Sequence, residues 1–226
     1  MSCGCSTSKH ALPSGLFVTG TDTGVGKTVV ACAIVAALHA RGVRVKALKP
    51  IITGLDDPGP ADHELLASAA GCTPDEVAIR SFGPPVSPHL AAELAGQPIV
   101  VDELVAAVRE RAESADVVIV EGVGGLLVPL SDGHDVRELA LGLGLPVIVA
   151  ARPGLGTINH TLLTLEAARA VGLDVRAVVL TPWPDSPGVI ERSNRDTIAG
   201  LGGVHVEVLR RVEAESVAAL PVERWL

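Results

Sequence analysis

Aromatic side chains are nearly missing: 226 residues include no tyrosine, two tryptophans and two phenylalanines. A surface that stacks successive bases of single-stranded nucleic acid needs aromatic faces, so that class is disfavoured and aliphatic side chains must pack the interior. Positive charge is also short. Lysine and arginine total 18 against 26 aspartates and glutamates, a formal charge of −8. Generic binding to a phosphate backbone or an anionic membrane is disfavoured, although a local cationic pocket for one nucleotide is not. Mean hydropathy is positive, yet no apolar run approaches a membrane-spanning length. The longest, ALGLGLPVIVAA at 140–151, is interrupted by Gly and Pro. The opening MSCGCSTSKHALPSG has no hydrophobic signal core, and residues 1–14 are expected to form a mobile tail. Cysteine is sparse: Cys3 and Cys5 lie in that tail, Cys32 and Cys72 singly within predicted helices. Nothing nearby completes a metal site around the CxC pair, and no disulfide framework is visible, so a reducing cytoplasm is the expected setting. The seven histidines are scattered, and HELLAS at 63–68 lacks the second His of a zinc hydrolase motif.

What is plentiful is Val, Ile, Leu and Ala in a repeating order. LFVTG (16–20) reads as a buried strand, followed by a helix through TVVACAIVAALHARG with Gly42 at its C-terminal end. VRVKALKP (43–50) is the next strand, which Pro50 is expected to stop. DVVIVEG, LPVIVAA and DVRAVVLTP are three more runs too short for helices, the last preceded by TINHTLLTLEAARAVG ending in Gly172. Such runs suit strands buried on both faces, so the expected fold is a doubly wound α/β domain over 15–226: a mostly parallel sheet with helices on both faces. TGLDDPGPA (53–61) and TPWPDSPG (181–188) are loops rich in Pro, Asp and Gly. Ligands of open α/β sheets bind beyond the C-terminal strand ends, so polar residues following the apolar runs are the candidates.

The first candidate is GTDTGVGKT (20–28). Five residues separate Gly20 from Gly26, one more than in the usual phosphate loop. A glycine-rich strand–helix turn would also account for it, but the ingredients of a phosphate cradle are all there. Gly24 and Gly26 let backbone N–H groups turn toward an anion. Lys27 supplies charge for the outer phosphates, Thr28 a hydroxyl for Mg²⁺, and the following helix its positive dipole end. Three further charged residues have two readings each. Glu121, at the end of DVVIVEG, is a magnesium ligand or a strand-end partner for Lys27. Asp62, in PADHELL, is a second ligand or a helix N-cap. Lys49 is a second cation over the γ-phosphate or a solvated strand tip.

With these residues in place, the chain resembles the dethiobiotin synthetases. GTDTGVGKT, KPIITG, the acidic loop with Asp62, SPHLAAELAG, VEGVGGLLVPLSD and GTINHTLLTLEA occur in that family's order, from about Leu16 to Arg192. The family's phosphate loop is likewise the longer variant. The resemblance implies a P-loop ligase that makes dethiobiotin, ADP and phosphate from 7,8-diaminononanoate, CO₂ and MgATP, through a carbamate and a carbamic–phosphoric anhydride. It implies that Gly24, Val25, Gly26, Lys27, Thr28 and Val29 hold the triphosphate, and that Thr28, Asp62 and Glu121 surround Mg²⁺. Lys49 resembles the family's active-site lysine, and Thr53 its substrate-facing hydroxyl residue. Gly122, Val123 and Gly124 continue a nucleotide-contacting loop, while Thr21 and Asp22 shape the reaction pocket. GLGTINH (154–160), with Gly156, Thr157 and Asn159, resembles a substrate loop at a homodimer interface, although locally Asn159-His160-Thr161 also reads as an ordinary helix turn. Ser87-Pro88-His89 matches a family block and equally reads as a helix N-cap.

One departure concerns the base. After DVRAVVL the family commonly has an Asn that contacts adenine, whereas this chain has Thr181-Pro182-Trp183. Threonine lacks an amide's paired donor and acceptor, so weaker selection among bases is expected. Arg210 and Arg211 stand where some relatives place a segment beside the base. Two other classes share the loop. Switch-type partitioning ATPases carry an additional lysine early in it, where this chain has Thr21-Asp22-Thr23, and VEAESVAALPVERWL is no basic amphipathic helix. Glutamine-dependent amidotransferases add a glutaminase domain that this length does not accommodate.

Overall fold

The computed structural model describes residues 12–210 and 220–226. Most of the expected tail, with Cys3 and Cys5, lies outside the described residues, as does Arg211. Leu12 already packs against the core, and the first strand opens at Ser14, two residues before the expected start.

The chain runs β1 (Ser14–Gly20), α1 (Lys27–His39), β2 (Val45–Ile52), α2 (Asp62–Ala70), α3 (Pro74–Val77), β3 (Ala78–Ser81) and α4 (Pro88–Ala95). It continues through α5 (Val101–Ala112), β4 (Val117–Gly125), β5 (Pro129–Ser131), β6 (His134–Asp135), α6 (Val136–Leu143) and β7 (Val147–Ala151). It ends with α7 (Thr157–Ala170), β8 (Val175–Leu180), α8 (Val189–Gly202), β9 (His205–Val208) and a 3₁₀ turn at Val222–Arg224. Seven strands form one sheet in the order β3-β2-β4-β1-β7-β8-β9. All its pairings are parallel, while β5 and β6 make a separate antiparallel hairpin.

Strand alternation puts each apolar run into two cores at once, because successive side chains point to opposite faces. Phe17, Val118, Val120, Val147 and Val149 pack on the face covered by α4 to α8. Leu16, Val18, Ile119, Ile148 and Ala150 pack on the other, with α1, α2, Val222 and Trp225. Alanines at 31, 33 and 37 let α1 lie close to the sheet, and Val30, Ile34, Val35 and Leu38 fill the space between. Each such buried aliphatic side chain stabilises the fold by roughly 1.5–3 kcal/mol. Among the described residues no helix is long and apolar enough to cross a membrane.

Four local expectations are corrected. β2 does not stop at Pro50. It leaves β4 after Leu48 and continues to Ile52 against β3, and the partner pairs Lys49–Ala78 and Ile51–Arg80 flank the proline. β4 runs on to Gly125, since Gly125 still pairs with Gly20. α1 ends at His39, and Gly42 (φ 75°) turns the chain three residues later. Cys72 is in the turn between α2 and α3, because Gly71 already caps α2 with φ 65°.

β1 is flanked by β4 and β7, so the chain's two halves diverge at its C-terminal end. The loop after β1 therefore opens into the crevice where open α/β sheets bind ligands.

Candidate active site

The loop Thr21–Gly26 bends back over the end of β1. Its entry is fixed by Thr21 N–H donating to the Ala150 carbonyl of β7 at 3.0 Å. Gly26 has φ 96°, and a Cβ there would come within 2.6 Å of Thr181 Cγ2. A larger residue would meet both backbone strain and a collision. Val25 faces the core and Val29 is exposed, so of the six residues 24–29 the backbone and Lys27 and Thr28 are the polar ones available. Lys27 is buried, and its Nζ donates to the Asp22 carbonyl at 2.9 Å.

Four side chains from four elements meet beyond that loop. Lys49 of β2 is 2% exposed, with Nζ 2.5 Å from Glu121 Oε1 and 2.6 Å from Asp62 Oδ2. Thr28 Oγ1 of α1 stands 2.8 Å from Asp62 Oδ1 and 2.9 Å from Glu121 Oε1. Glu121 comes from β4 and Asp62 from the first turn of α2. Ala61, not Asp62, is the N-cap, which frees the Asp62 carboxylate to face inward. Glu121 and Lys49 are held together by register: Leu48 pairs with Val120, so the next residues of the two strands lie side by side. Lys49 is thus no solvated strand tip, and the lysine paired with Glu121 is Lys49 rather than Lys27.

Burial and mutual charge shift the groups of this cluster in different directions. It pushes the Glu121 carboxyl above its ordinary range, Lys49 offsetting only part of the shift. Burial opposes the Lys49 ammonium too, but Glu121 and Asp62 outweigh it and hold its pKa above the ordinary value. Burial would raise Asp62, yet Lys49 carries it below the usual range. Lys27 is pulled down by burial first and by Lys49 second. Cys32, one turn beyond Thr28, is pushed up to about 12 by burial and then by the two carboxylates.

The oxygen donors fit a hard divalent cation. The Thr28 hydroxyl has one proton and can donate to only one of its two carboxylate neighbours. The other close oxygen pair needs a proton or a cation between. Glu121 Oε2 is buried with no partner among the described residues. Two carboxylates and a hydroxyl are the kind of set Mg²⁺ takes alongside phosphate oxygens and water.

A cavity of about 680 Å³ spreads over the cluster, reached by Gly24, Gly26, Lys27, Thr28, Val29, Lys49, Thr53, Asp62, Val123 and Gly124. A volume of that order accommodates a small-molecule ligand. Its far wall is Pro85–Pro88, held by Gly54 N–H on the Pro84 carbonyl (3.0 Å) and Asp56 N–H on the Gly83 carbonyl (2.9 Å). Ser87 caps α4 by position and lines this wall together with Pro88. A second cavity of about 440 Å³ lies beside Thr21 and Asp22, walled by Leu126, Leu127, Leu163 and Ala167, with His160 and Thr164.

Not every sequence candidate reaches these cavities within one chain. Gly122 is buried behind the first, its carbonyl 3.5 Å from Lys49 Nζ. Thr181 is buried against Gly26, and Pro182 is exposed. Gly156, Thr157 and Asn159 line neither cavity; Asn159 is exposed and Thr157 faces Thr161. Asp57, Val86 and Val128 line the first cavity without having been singled out in the sequence. As small apolar or loop residues they carried no motif.

Residues 14–221 match a family model described as an AAA domain. An ATP-dependent dethiobiotin synthetase from Anaeromyxobacter sp. (strain Fw109-5) is 48% identical over 84% of this chain and 90% of its own length. One from Mycobacterium avium (strain 104) is 40% identical over 93% of this chain and 96% of its own. The chain belongs to the dethiobiotin synthetase family. The seven-stranded fold extends further: the cell division protein FtsY from Thermotoga maritima superposes with a TM-score of 0.55 at 17% identity, over 95% of this chain and 67% of that one. Dethiobiotin synthetase membership matches the resemblance read from the motif order, and the phosphate loop with its acidic partners is where that order converges in space.

Proposed function

We propose that this protein makes dethiobiotin from 7,8-diaminononanoate, CO₂ and ATP, releasing ADP and phosphate in biotin synthesis. The observation that carries the reading is the meeting of Lys27, Lys49, Thr28, Asp62 and Glu121 at one loop, next to an apolar-walled second cavity.

The N–H groups of Gly24 to Val29 hold the triphosphate, with Lys27 exchanging the Asp22 carbonyl for the outer phosphate. Thr28, Asp62 and Glu121 hold Mg²⁺, which supplies charge neutralisation at the phosphates when bound. One amine of the diamine adds to CO₂, forming a C–N bond and losing a proton to solvent. The resulting carbamate oxygen attacks the γ-phosphorus and the bond to ADP breaks. The second amine then attacks the carbamoyl carbon, the C–O bond to phosphate breaks as the ring closes, and the amine proton leaves with the phosphate or to solvent. Lys49 sits where negative charge gathers on carbamate and phosphoryl oxygens, and preorganised cations there lower the barrier. Thr53, Thr21 and Asp22 orient the amines; positioning supplies much of the rest of the rate.

The alkyl chain of the substrate suits the leucine-walled second cavity. Its carboxylate suits the start of α7 in a second copy, where Gly156, Thr157 and Asn159 begin a helix and the N–H groups of Ile158 and Asn159 have no backbone acceptor among the described residues. On this reading the enzyme is a homodimer, each chain a single cytoplasmic α/β unit. Gly122, Val123 and Gly124 flank the nucleotide, with Thr181 and Pro182 toward its base.

Phosphate release stimulated by diaminononanoate plus bicarbonate, with dethiobiotin found by mass spectrometry, tests the reading. ATP turnover indifferent to the diamine would overturn it. With no amide at 181, CTP and GTP should support ring closure within about tenfold of ATP, since one lost hydrogen-bonding edge is worth about 1 kcal/mol. Strict dependence on ATP would refute that part alone.

A further inference from the structure

Arg152 follows the last residue of β7, and its side chain reaches across to the phosphate loop. Its Nη2 donates to the Thr23 carbonyl at 3.1 Å and lies 3.9 Å from where a Cβ of Gly24 would stand. The side chain is exposed and forms no ion pair with any described carboxylate. Its backbone is fixed from two sides. Thr181 N–H donates to the Ala151 carbonyl at 2.9 Å, and Asn194 of α8, 7% exposed, donates Nδ2 to the carbonyls of Pro153 (2.9 Å) and Gly154 (3.1 Å). Both amide protons of a buried asparagine are thus spent on the two residues after Arg152.

We propose that Arg152 is a positioning residue for nucleotide binding, which holds the tip of the phosphate loop open for the triphosphate, and that Asn194 fixes the segment from which it projects. The inference rests on the reading of this loop as the nucleotide site. Two cations hold two successive carbonyls of the loop from opposite sides: Lys27, lining the cavity, that of Asp22, and Arg152, outside it, that of Thr23, which is thereby held outward. A peptide whose carbonyl is held outward presents the following N–H inward, which is how an anion-binding nest is built. Lys27 must release its carbonyl to meet phosphate. Arg152 lines neither cavity, so it has no such second task and remains as the tie.

The test is direct binding of MgADP and a non-hydrolysable MgATP analogue to the full chain by calorimetry, alongside steady-state kinetics. Arg152→Ala should weaken nucleotide affinity about three- to tenfold, the net value of one exposed hydrogen bond. Nucleotide KM should rise in step, with kcat and the diamine KM changed less than twofold. Arg152→Lys should recover part of the affinity, and millimolar guanidinium should restore the Ala variant. Asn194→Asp should weaken nucleotide binding in the parent and much less in the Arg152→Ala background, because coupled residues are not additive. Unchanged nucleotide affinity in Arg152→Ala, or a loss confined to kcat, overturns the proposal. So does full additivity with Asn194→Asp. A parent protein that binds no nucleotide would instead sink the functional reading, so the two failures are distinguishable.

Discussion

Lys49 shows how one side chain serves stability and chemistry together. Its side chain is 3% exposed, the ammonium set between a fully buried Glu121 and a half-exposed Asp62. Removing one partner of a buried pair leaves the other charge uncompensated, at about 3–5 kcal/mol. Lys49→Ala should therefore lower the urea midpoint of unfolding as well as abolish ring closure, with nucleotide affinity comparatively intact. Adding Glu121→Gln should return most of the stability and none of the activity; a Lys49→Ala protein as stable as its parent would contradict the burial argument. Cys32 reads the same field from below. With a thiol pKa pushed up to about 12, about one molecule in ten thousand carries a thiolate at pH 8, and the thiolate is the nucleophile. Peptide mapping after iodoacetamide at pH 8 should find Cys32 unmodified in the folded protein and alkylated in urea. Ready labelling of the native chain would mean that burial and the two carboxylates do not hold the thiol protonated as described.

At the level of elements, short pieces at the sheet edge depend on polar contacts where apolar area is small. Glu76 ties the four-residue α3 to both neighbours, accepting from Thr73 N–H at 2.9 Å and pairing with Lys46 at 2.9 Å. The Thr73 backbone N–H first, and Lys46 next, hold its pKa down at about 2. A folded-state pKa below the unfolded one stabilises above the unfolded value and loses that contribution as pH falls. Glu76→Gln should thus be less stable than the parent at pH 6, with the difference shrinking between about pH 4.5 and about pH 2. Its exposure means added salt should shrink the difference too; a gap independent of pH would rule the linkage out. This edge is also what the sequence hid. Long Val/Ile runs announced β1, β4, β7 and β8, because strands buried on both faces have little choice of composition. AIRS of β3 and HVEV of β9 are four residues each with polar members, and their positions follow only from pairing with β2 and β8. Of the candidate site, Asp62, in a polar stretch, read equally well as a helix N-cap. Lys27 and Thr28 were legible from the glycine-rich loop, and Lys49 and Glu121 as charges after apolar runs, which mark the C-terminal edge of a parallel sheet. Arg152 met that same description, but its partner Thr23 is 129 residues away in the chain, and no local pattern encodes that contact.

For the molecule as a whole, the second cavity is the unfinished part. Its walls include Leu127 and Leu163, 59% and 55% exposed, and Leu155, just ahead of α7, is 96% exposed. Leucines so placed suit burial against another surface, each stabilising an interface by up to roughly 1.5–3 kcal/mol. A second copy covering this face would close the cavity over the alkyl chain of the diamine and bring the start of its own α7 to the carboxylate end. Leu163→Glu would then bury an unpaired carboxylate in each copy, which costs several kcal/mol per ion. Light scattering should find the parent at twice the chain mass and Leu163→Glu at one. The first cavity has a different lining, so the variant should bind MgADP as the parent does, while dethiobiotin formation falls by at least about a hundredfold, about what 3 kcal/mol of lost substrate binding gives. A monomeric variant that still closes the ring at the parental rate would show that one chain holds the whole site.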